Sequence, residues 1–141
     1  MIVTRSEVSS DTALRLVQSA VSHAATQGWK VCAVVADTGG RPLALLRMDD
    51  VSEPIVDIAT DKAFTAATMR RTTAAFHDRM NSDAMRLGFS NRNRLMVWGG
   101  GLPLFHEGQC IGGIGVSGGL AEQDVVCAEA ALAAVGLQST P

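Results

Sequence analysis

Lys62 is the first of three groups of residues in this chain whose types and spacing can do chemistry. Ile55, Ile58, Ala59, Ala63 and Ala66 recur at helical spacing. Lys62 follows Ile58 by four residues and Ile55 by seven, so it sits on that apolar stripe. Lysine is seldom placed there. Either its methylene stem snorkels and the ammonium reaches solvent, or the ammonium points into a pocket. In a pocket it would pair with an anionic ligand group, or act as a base once desolvation lowers its pKa. Asp57 and Asp61 lie on another side of the helix, so the stripe offers no ion-pair partner of its own.

The second group is a pair of glycine-rich turns in the C-terminal half. Gly99-Gly100-Gly101 separates two strand-like runs. Three consecutive glycines cost much entropy to order, which points to a bulge in the sheet or to a pocket wall of bare backbone. The run Ile111–Gly119 (IGGIGVSGG) ends a strand, and glycines in a strand mark close approach by a ligand or by another backbone. Ser117-Gly118-Gly119 then opens a helix, where free N–H groups can hold an anion or steady a developing oxyanion. Glu122 and Asp124 already place negative charge in that first turn, so a purely structural turn stays open beside a ligand-binding one. The segment lacks the GK[ST] ending of a phosphate loop. Its Gly-x-Ser-x-Gly match at Gly115–Gly119 has no histidine after the serine, as a hydrolase triad of that type requires.

The histidines form the third group. His23, His77 and His106 make no i, i+4 pair, so the zinc-helix motifs are absent. A single histidine can ligate haem iron. His106 ranks first because it flanks a strand and a turn near the triple glycine; His23 ranks second. Cys32, Cys110 and Cys127 are odd in number and have no CxxC spacing, which reads as reduced thiols acting as small buried hydrophobes.

The elements that must hold these groups follow from periodicity. Asp11 to Gln27 carries an apolar stripe (Ala13, Leu14, Val17, Ala20, Val21, Ala24, Ala25) and predicts a helix capped by Ser10 or Asp11 and stopped by Gly28. Trp29–Ala36 and Pro42–Met48 predict a hairpin across Asp37–Gly40. Ser52-Glu53-Pro54 opens a helix to about Met69, and Ala74–Met85 is a weaker helical stretch. Gly88–Asn93 reads as an exposed loop. Leu95–Trp98, Leu102–Phe105 and Gln109–Val116 predict three more strands, and Ala121–Val135 a last helix with Glu129 off its apolar stripe. Strands joined in hairpins make a mostly antiparallel sheet with helices packed on it, an α+β arrangement.

Composition bounds what such a domain can do. At 141 residues, residues 1–141 read as a single domain, and 47% apolar content suffices for a core. Aromatics are only 4%, with no tyrosine, and the net charge is −2 without a basic run. Both argue against nucleic acid as a partner. The start has no apolar signal segment, and no stretch is long enough to span a membrane, so a cytoplasmic location is expected.

Several motifs, in order, resemble a known family. Ala36-Asp37-Thr38-Gly39-Gly40, then Leu43-Ala44 and Arg47-Met48-Asp49, are similar to the N-terminal signature of the GlcG/HbpS-like family, which includes the C-terminal domain of PduO-type proteins. Ala59-Thr60-Asp61-Lys62-Ala63 resembles its AxxKA helix. Gly100–Leu104, Gly113–Gly119 and Glu122-Gln123-Asp124 resemble its C-terminal signature. The resemblance covers nearly the whole chain. It implies a profilin-like fold, a five-stranded antiparallel sheet between helices, homo-oligomers, and haem binding in some members. Others belong to operons for small-acid catabolism.

The leading expectation is therefore a small-molecule-binding protein with haem as the ligand. Its site residues are Lys62, Gly99, Gly100, Gly101, His106, Ser117, Gly118 and Gly119, with His106 on the iron. The alternative is a cofactor-independent enzyme of small organic-acid catabolism (isomerase, hydratase or lyase type), with Lys62 as base or anion clamp. A third possibility is a subunit that only stabilises an assembly. If Lys62 meets an anionic ligand, Lys62→Met should leave the fold intact and weaken that ligand about tenfold or more. The alanine-rich faces of Asp57–Thr68 and Ala128–Ala134 suit packing against a second copy. Light scattering should accordingly give a mass well above the 14.8 kDa monomer; a monomer at micromolar concentration would refute this.

Overall fold

Ser9, not Ser10 or Asp11, begins the first helix, because its hydroxyl accepts the Thr12 amide at 3.1 Å. The computed structural model describes residues 1–141, and α1 spans Ser10–Gln27, ending at Gly28 with φ 75°. Its buried stripe is Ala13, Leu16, Val17, Ala20 and Ala24. Leu14, placed on the stripe by sequence, is exposed, and Leu16 takes its place. That set steps i, i+3, i+4, i+7, i+11 and is the narrower fit to one face. Fully burying a leucine such as Leu16 contributes about 1.5–3 kcal/mol.

Strands β1 (Cys32–Ala36) and β2 (Pro42–Arg47) form the expected hairpin. Its turn is held by the Asp37 carboxylate, whose Oδ1 accepts the amides of Gly39 and Arg41, both at 2.9 Å. Helix α2 is Glu53–Met69. The stretch read as one weak helix from Ala74 to Met85 is two: α3 (Thr73–Met80), with Thr72 accepting the Ala75 amide, and α4 (Asp83–Phe89), with Ser82 accepting the Met85 amide. Two hydroxyl caps ten residues apart each start a helix. Gly88 and Phe89 thus belong to α4, and Phe89 packs edge-on against Phe76 at 6.2 Å between ring centres.

Strands β3 (Gly101–His106) and β4 (Gln109–Ser117) and helix α5 (Ala121–Val135) complete the chain. The sheet has four strands, not five, in the order β2-β1-β4-β3, and every pair is antiparallel. Leu95–Trp98 is the strand that does not form. Its backbone is tied to α2 instead: the buried Thr65 hydroxyl accepts the Met96 amide at 2.9 Å and donates to the Arg94 carbonyl at 3.2 Å. Arg94 also lies over the Phe64 ring, 3.9 Å from its centre, and pairs with Asp61 at 3.5 Å. Backbone groups satisfied by a helix side chain are not offered to a neighbouring strand.

The sheet divides the molecule into layers. Ala33, Val35, Leu102, Ile114 and Val116 turn one face towards α1 and α5 and share a core with Leu16, Val17, Ala128 and Leu132. Cys32, Val34 and Ala36 turn the other face towards Ala59 and Ala63 of α2. Glu129 is exposed, as its place off the stripe requires. On the α2 face, the strand registers set Gly101 opposite Gly115, with Gly113 two residues along β4. There α2 lies on bare backbone. A Cβ at Gly113 would come 2.7 Å from the Ala67 nitrogen, one at Gly115 2.5 Å from the Ala63 nitrogen, and one at Gly101 2.7 Å from the Lys62 carbonyl. The alanine face of α2 is therefore spent on this contact within the chain, not on a second copy.

Gly115→Ala should consequently overpack the α2 seat and cost about 1–3 kcal/mol or more. That lowers Tm by roughly 5 °C. Gly88→Ala, in α4 with open space around the new methyl, should leave Tm unchanged or raise it, by up to about 1 kcal/mol of stability. Thermal denaturation of both variants checks this; a Gly115→Ala protein melting with the wild type would show that the glycines do not set the approach of α2.

Candidate functional site

Because α2 lies so close to the sheet, the Lys62 stem runs between helix and strands and does not snorkel. The residue is 2% exposed. Its ammonium donates to the Val116 carbonyl at 2.8 Å and to Asp124 Oδ2 at 3.0 Å. Gly100 makes room for this. With φ 126°, it adopts backbone that side chains rarely take, and a Cβ there would lie 2.9 Å from Lys62 Nζ and 2.9 Å from Asp124 Cβ. The Gly100 carbonyl also accepts the Val116 amide at 2.9 Å, so one β4 residue is held by the triple glycine and by Lys62 together.

By sequence alone Asp124 is only a favourable charge at a helix start. It is the missing counterion. Its Oδ1 accepts the Gly119 amide at 3.0 Å while Oδ2 binds Lys62, so one carboxylate ties the turn before α5 to the helix and neutralises the buried ammonium. Burial pushes the Lys62 pKa down, against the attraction of Asp124. Burial pushes the Asp124 pKa up, against the Lys62 charge and the Gly119 hydrogen bond. Since the Gly119 amide is engaged, it is not a free oxyanion donor. The Leu120 amide is likewise bound, to the Gln123 side chain at 2.9 Å.

Above the pair opens a cleft of about 220 Å³ lined by Ile55, Ile58, Trp98, Ser117, Gly118, Gly119 and Ala121, with Lys62 and Asp124 at its floor. The structure thus brings together Lys62, Ser117, Gly118 and Gly119 as the sequence suggested. Gly99, Gly100 and Gly101 support this floor from outside the cleft: a Cβ at Gly99 would come 3.2 Å from Val125, and the Gly101 amide donates to the buried Thr73 hydroxyl at 2.9 Å. Neither Trp98 nor Ala121 stands out in the sequence: the Thr65 and Arg94 ties bring residues 94–98 over α2, and Ala121 reaches the cleft as the first residue of α5.

His106 is elsewhere. It ends β3 five residues beyond Gly101, about 17 Å along the strand. Its side chain is 61% exposed, with Glu107 at 3.9 Å, so it does not join Lys62 in one site. His77 is exposed beside Asp78. His23 is half-buried and edge-on to Trp29. It lines an open groove of about 460 Å³ between α1 and α5, with Arg15 and with Ala130, Ala134 and Val135. No three His, Cys, Asp or Glu side chains cluster as a metal site. Cys32 and Cys127 are buried, and burial pushes both thiols up to about 11; Cys110 is only partly buried. No helix is long and apolar enough to cross a membrane.

The counterion changes what Lys62→Met should do. Removing the ammonium leaves a buried carboxylate with one backbone donor, so the variant should lose about 3–5 kcal/mol instead of keeping the fold intact. Asp124 has a folded pKa raised above its ordinary 3.8. The folded variant then holds the proton more tightly than the unfolded chain, so its stability falls as pH rises through that window. Urea denaturation should show the smallest penalty near the ordinary pKa and a growing one towards neutrality. Adding Asp124→Asn should recover part of the loss. A single variant as stable as wild type at neutral pH would contradict the pairing.

Comparison with known proteins agrees with the motifs. The family model described as "Haem degrading protein HbpS-like" matches residues 8–133. An uncharacterized 15.0 kDa protein from the dhaT-dhaS intergenic region of Citrobacter freundii is 42% identical over 100 residues, 70% of this chain and 70% of that protein. Protein GlcG of Escherichia coli is 36% identical over 110 residues, 78% of this chain and 81% of GlcG. The crystal structure of a PduOC:heme complex superposes with a TM-score of 0.88 at 28% identity, covering 96% of this chain and 99% of that one. By this match of model, sequence and fold, the chain belongs to the HbpS-like family.

Proposed function

We propose that this chain is a small-molecule-binding protein whose ligand is of the haem class. The observation that carries this reading is the likeness to the PduOC:heme complex over almost the full length. The family description, which also names haem, supports it.

The Lys62 cleft, at about 220 Å³, is smaller than the roughly 300–1,000 Å³ of ordinary drug-sized sites and does not suit a tetrapyrrole. The α1/α5 groove suits one better. His23 offers an imidazole that is neither fully exposed nor paired with a carboxylate, Arg15 offers a cation for a propionate, and Ala130, Ala134 and Val135 offer an apolar side. When bound, haem iron supplies redox and oxygen chemistry; the chain's part is to ligate, orient and shield it. Ala133 and Ala134, which α5 leaves exposed, support a second copy closing over this region, in keeping with a homo-oligomer.

The alternative, cofactor-free proton transfer on a small organic acid, draws on Lys62 and Asp124 meeting under a cleft. It would have to proceed without the Gly119 amide, which Asp124 occupies.

Titration with haemin should give a shifted, saturable Soret band. His23→Ala should abolish that shift and His106→Ala should keep it. Haemin binding no better than to an unrelated acidic protein would end the haem reading. Loss of the shift in His106→Ala alone would move the seat to the end of β3.

A further inference from the structure

The cleft over Lys62 has a composition that selects its own ligand. An ammonium carries three N–H donors. Lys62 uses one on Val116 and one on Asp124, which leaves the third on a side chain only 2% exposed that lines the cleft. Ser117, 4% exposed, lines it too. Apart from the backbone of Gly118 and Gly119, the remaining wall is apolar, from Ile55, Ile58, Trp98 and Ala121. A ligand must therefore present an acceptor to the floor and hydrocarbon to the sides.

Charge decides which acceptor. Asp124 already balances Lys62 at 3.0 Å, so the floor is a neutral couple and needs no further anion. A carboxylate ligand reaching the third N–H would stand beside a buried Asp124 carboxylate of like charge, at the low dielectric of a part-enclosed site. An uncharged oxygen gains the same hydrogen bond without that repulsion. We propose that this cleft is a binding site for a small uncharged carbonyl compound, a ketone or aldehyde of a few carbons, with its oxygen on Lys62 and its alkyl part between Ile55, Ile58 and Trp98. The volume limits the guest to such a size. The cleft shares no lining residue with the α1/α5 groove, so a failed haemin titration leaves this site untouched.

The test is an amide NMR titration of the wild-type protein with butanone, and with butyrate at the same concentrations and pH 7. Butanone should shift the Trp98, Ser117 and Gly118 amides saturably in the millimolar range, and butyrate should bind at least tenfold more weakly. Lys62→Met should lose the response, but its stability is compromised. Ala121→Phe, which places a ring at the exposed rim, is the second variant: it should melt with the wild type and lose the butanone shifts. Butyrate binding as tightly as butanone would overturn the charge argument. The absence of saturable shifts at these amides, or their persistence in a folded Ala121→Phe protein, would overturn the site.

Discussion

Helix α2 rests on polypeptide backbone, and most of the molecule follows from that approach. A helix normally stands off a sheet by the depth of two layers of side chains. Here Gly101, Gly113 and Gly115 remove the sheet's layer, and Ala59, Ala63, Ala66 and Ala67 thin the helix's. Dispersion and burial reward the close contact, since interiors are packed to crystal-like density and tolerate few voids. The glycines lose backbone entropy on folding, so the arrangement persists only because the contact offsets that loss. The opposite face of the sheet keeps its own layer of side chains, with Val35, Ile114, Val116 and Leu102 meeting Leu16, Val17 and Leu132 among the alanines of α1 and α5.

Close seating leaves a long side chain on the inner face of α2 nowhere to go but along the sheet. Lys62 is that side chain. Its stem follows the groove to the end of β4, where the nearest polar groups are the Val116 carbonyl and the first turn of α5. An ammonium stranded there would cost several kcal/mol without a partner, roughly the effective penalty for other buried ions. Asp124 supplies the partner and, through the Gly119 amide, fixes the start of α5. Sheet, α2 and α5 are thus joined at one point by a neutral, hydrogen-bonded couple. Every buried side-chain nitrogen or oxygen in the protein has at least one partner, the Lys62 ammonium and the Asp124 carboxylate included.

The same point has chemical consequences. Since the couple is neutral, its cleft favours uncharged acceptors. At about 220 Å³ it has no room for a macrocycle. The three histidines occupy unlike environments: His106 and His77 are open to water beside carboxylates, while His23 sits in a groove with a cation and alanines. Imidazole availability to a ligand is set by those surroundings, not by proximity in sequence to a glycine turn.

Much of the fold was written in local pattern. Helices α1, α2 and α5 follow from 3.6-residue periodicity with a glycine or an N-cap at their ends, and the β1–β2 hairpin follows from Asp37-Thr38-Gly39-Gly40. The GlcG/HbpS-like motifs, in order, identified the family, and Lys62 on an apolar stripe marked the one long polar side chain that the α2 contact buries. What periodicity could not supply was long-range. Leu95–Trp98 has strand-like composition, but Thr65 and Arg94 bind it to α2, so the expected fifth strand never pairs. Asp124 lies 62 residues from Lys62, and no spacing rule connects them. The glycines of β4 could announce close approach, but whether a ligand or a helix would fill the space depended on how the sheet was covered. Local conformational preference acts between neighbours along the chain, whereas charge pairing and steric fit act between whatever surfaces the fold brings together. The elements were therefore determined by sequence, and the counterion, the strand count and the separation of His106 from Lys62 were decided only in three dimensions.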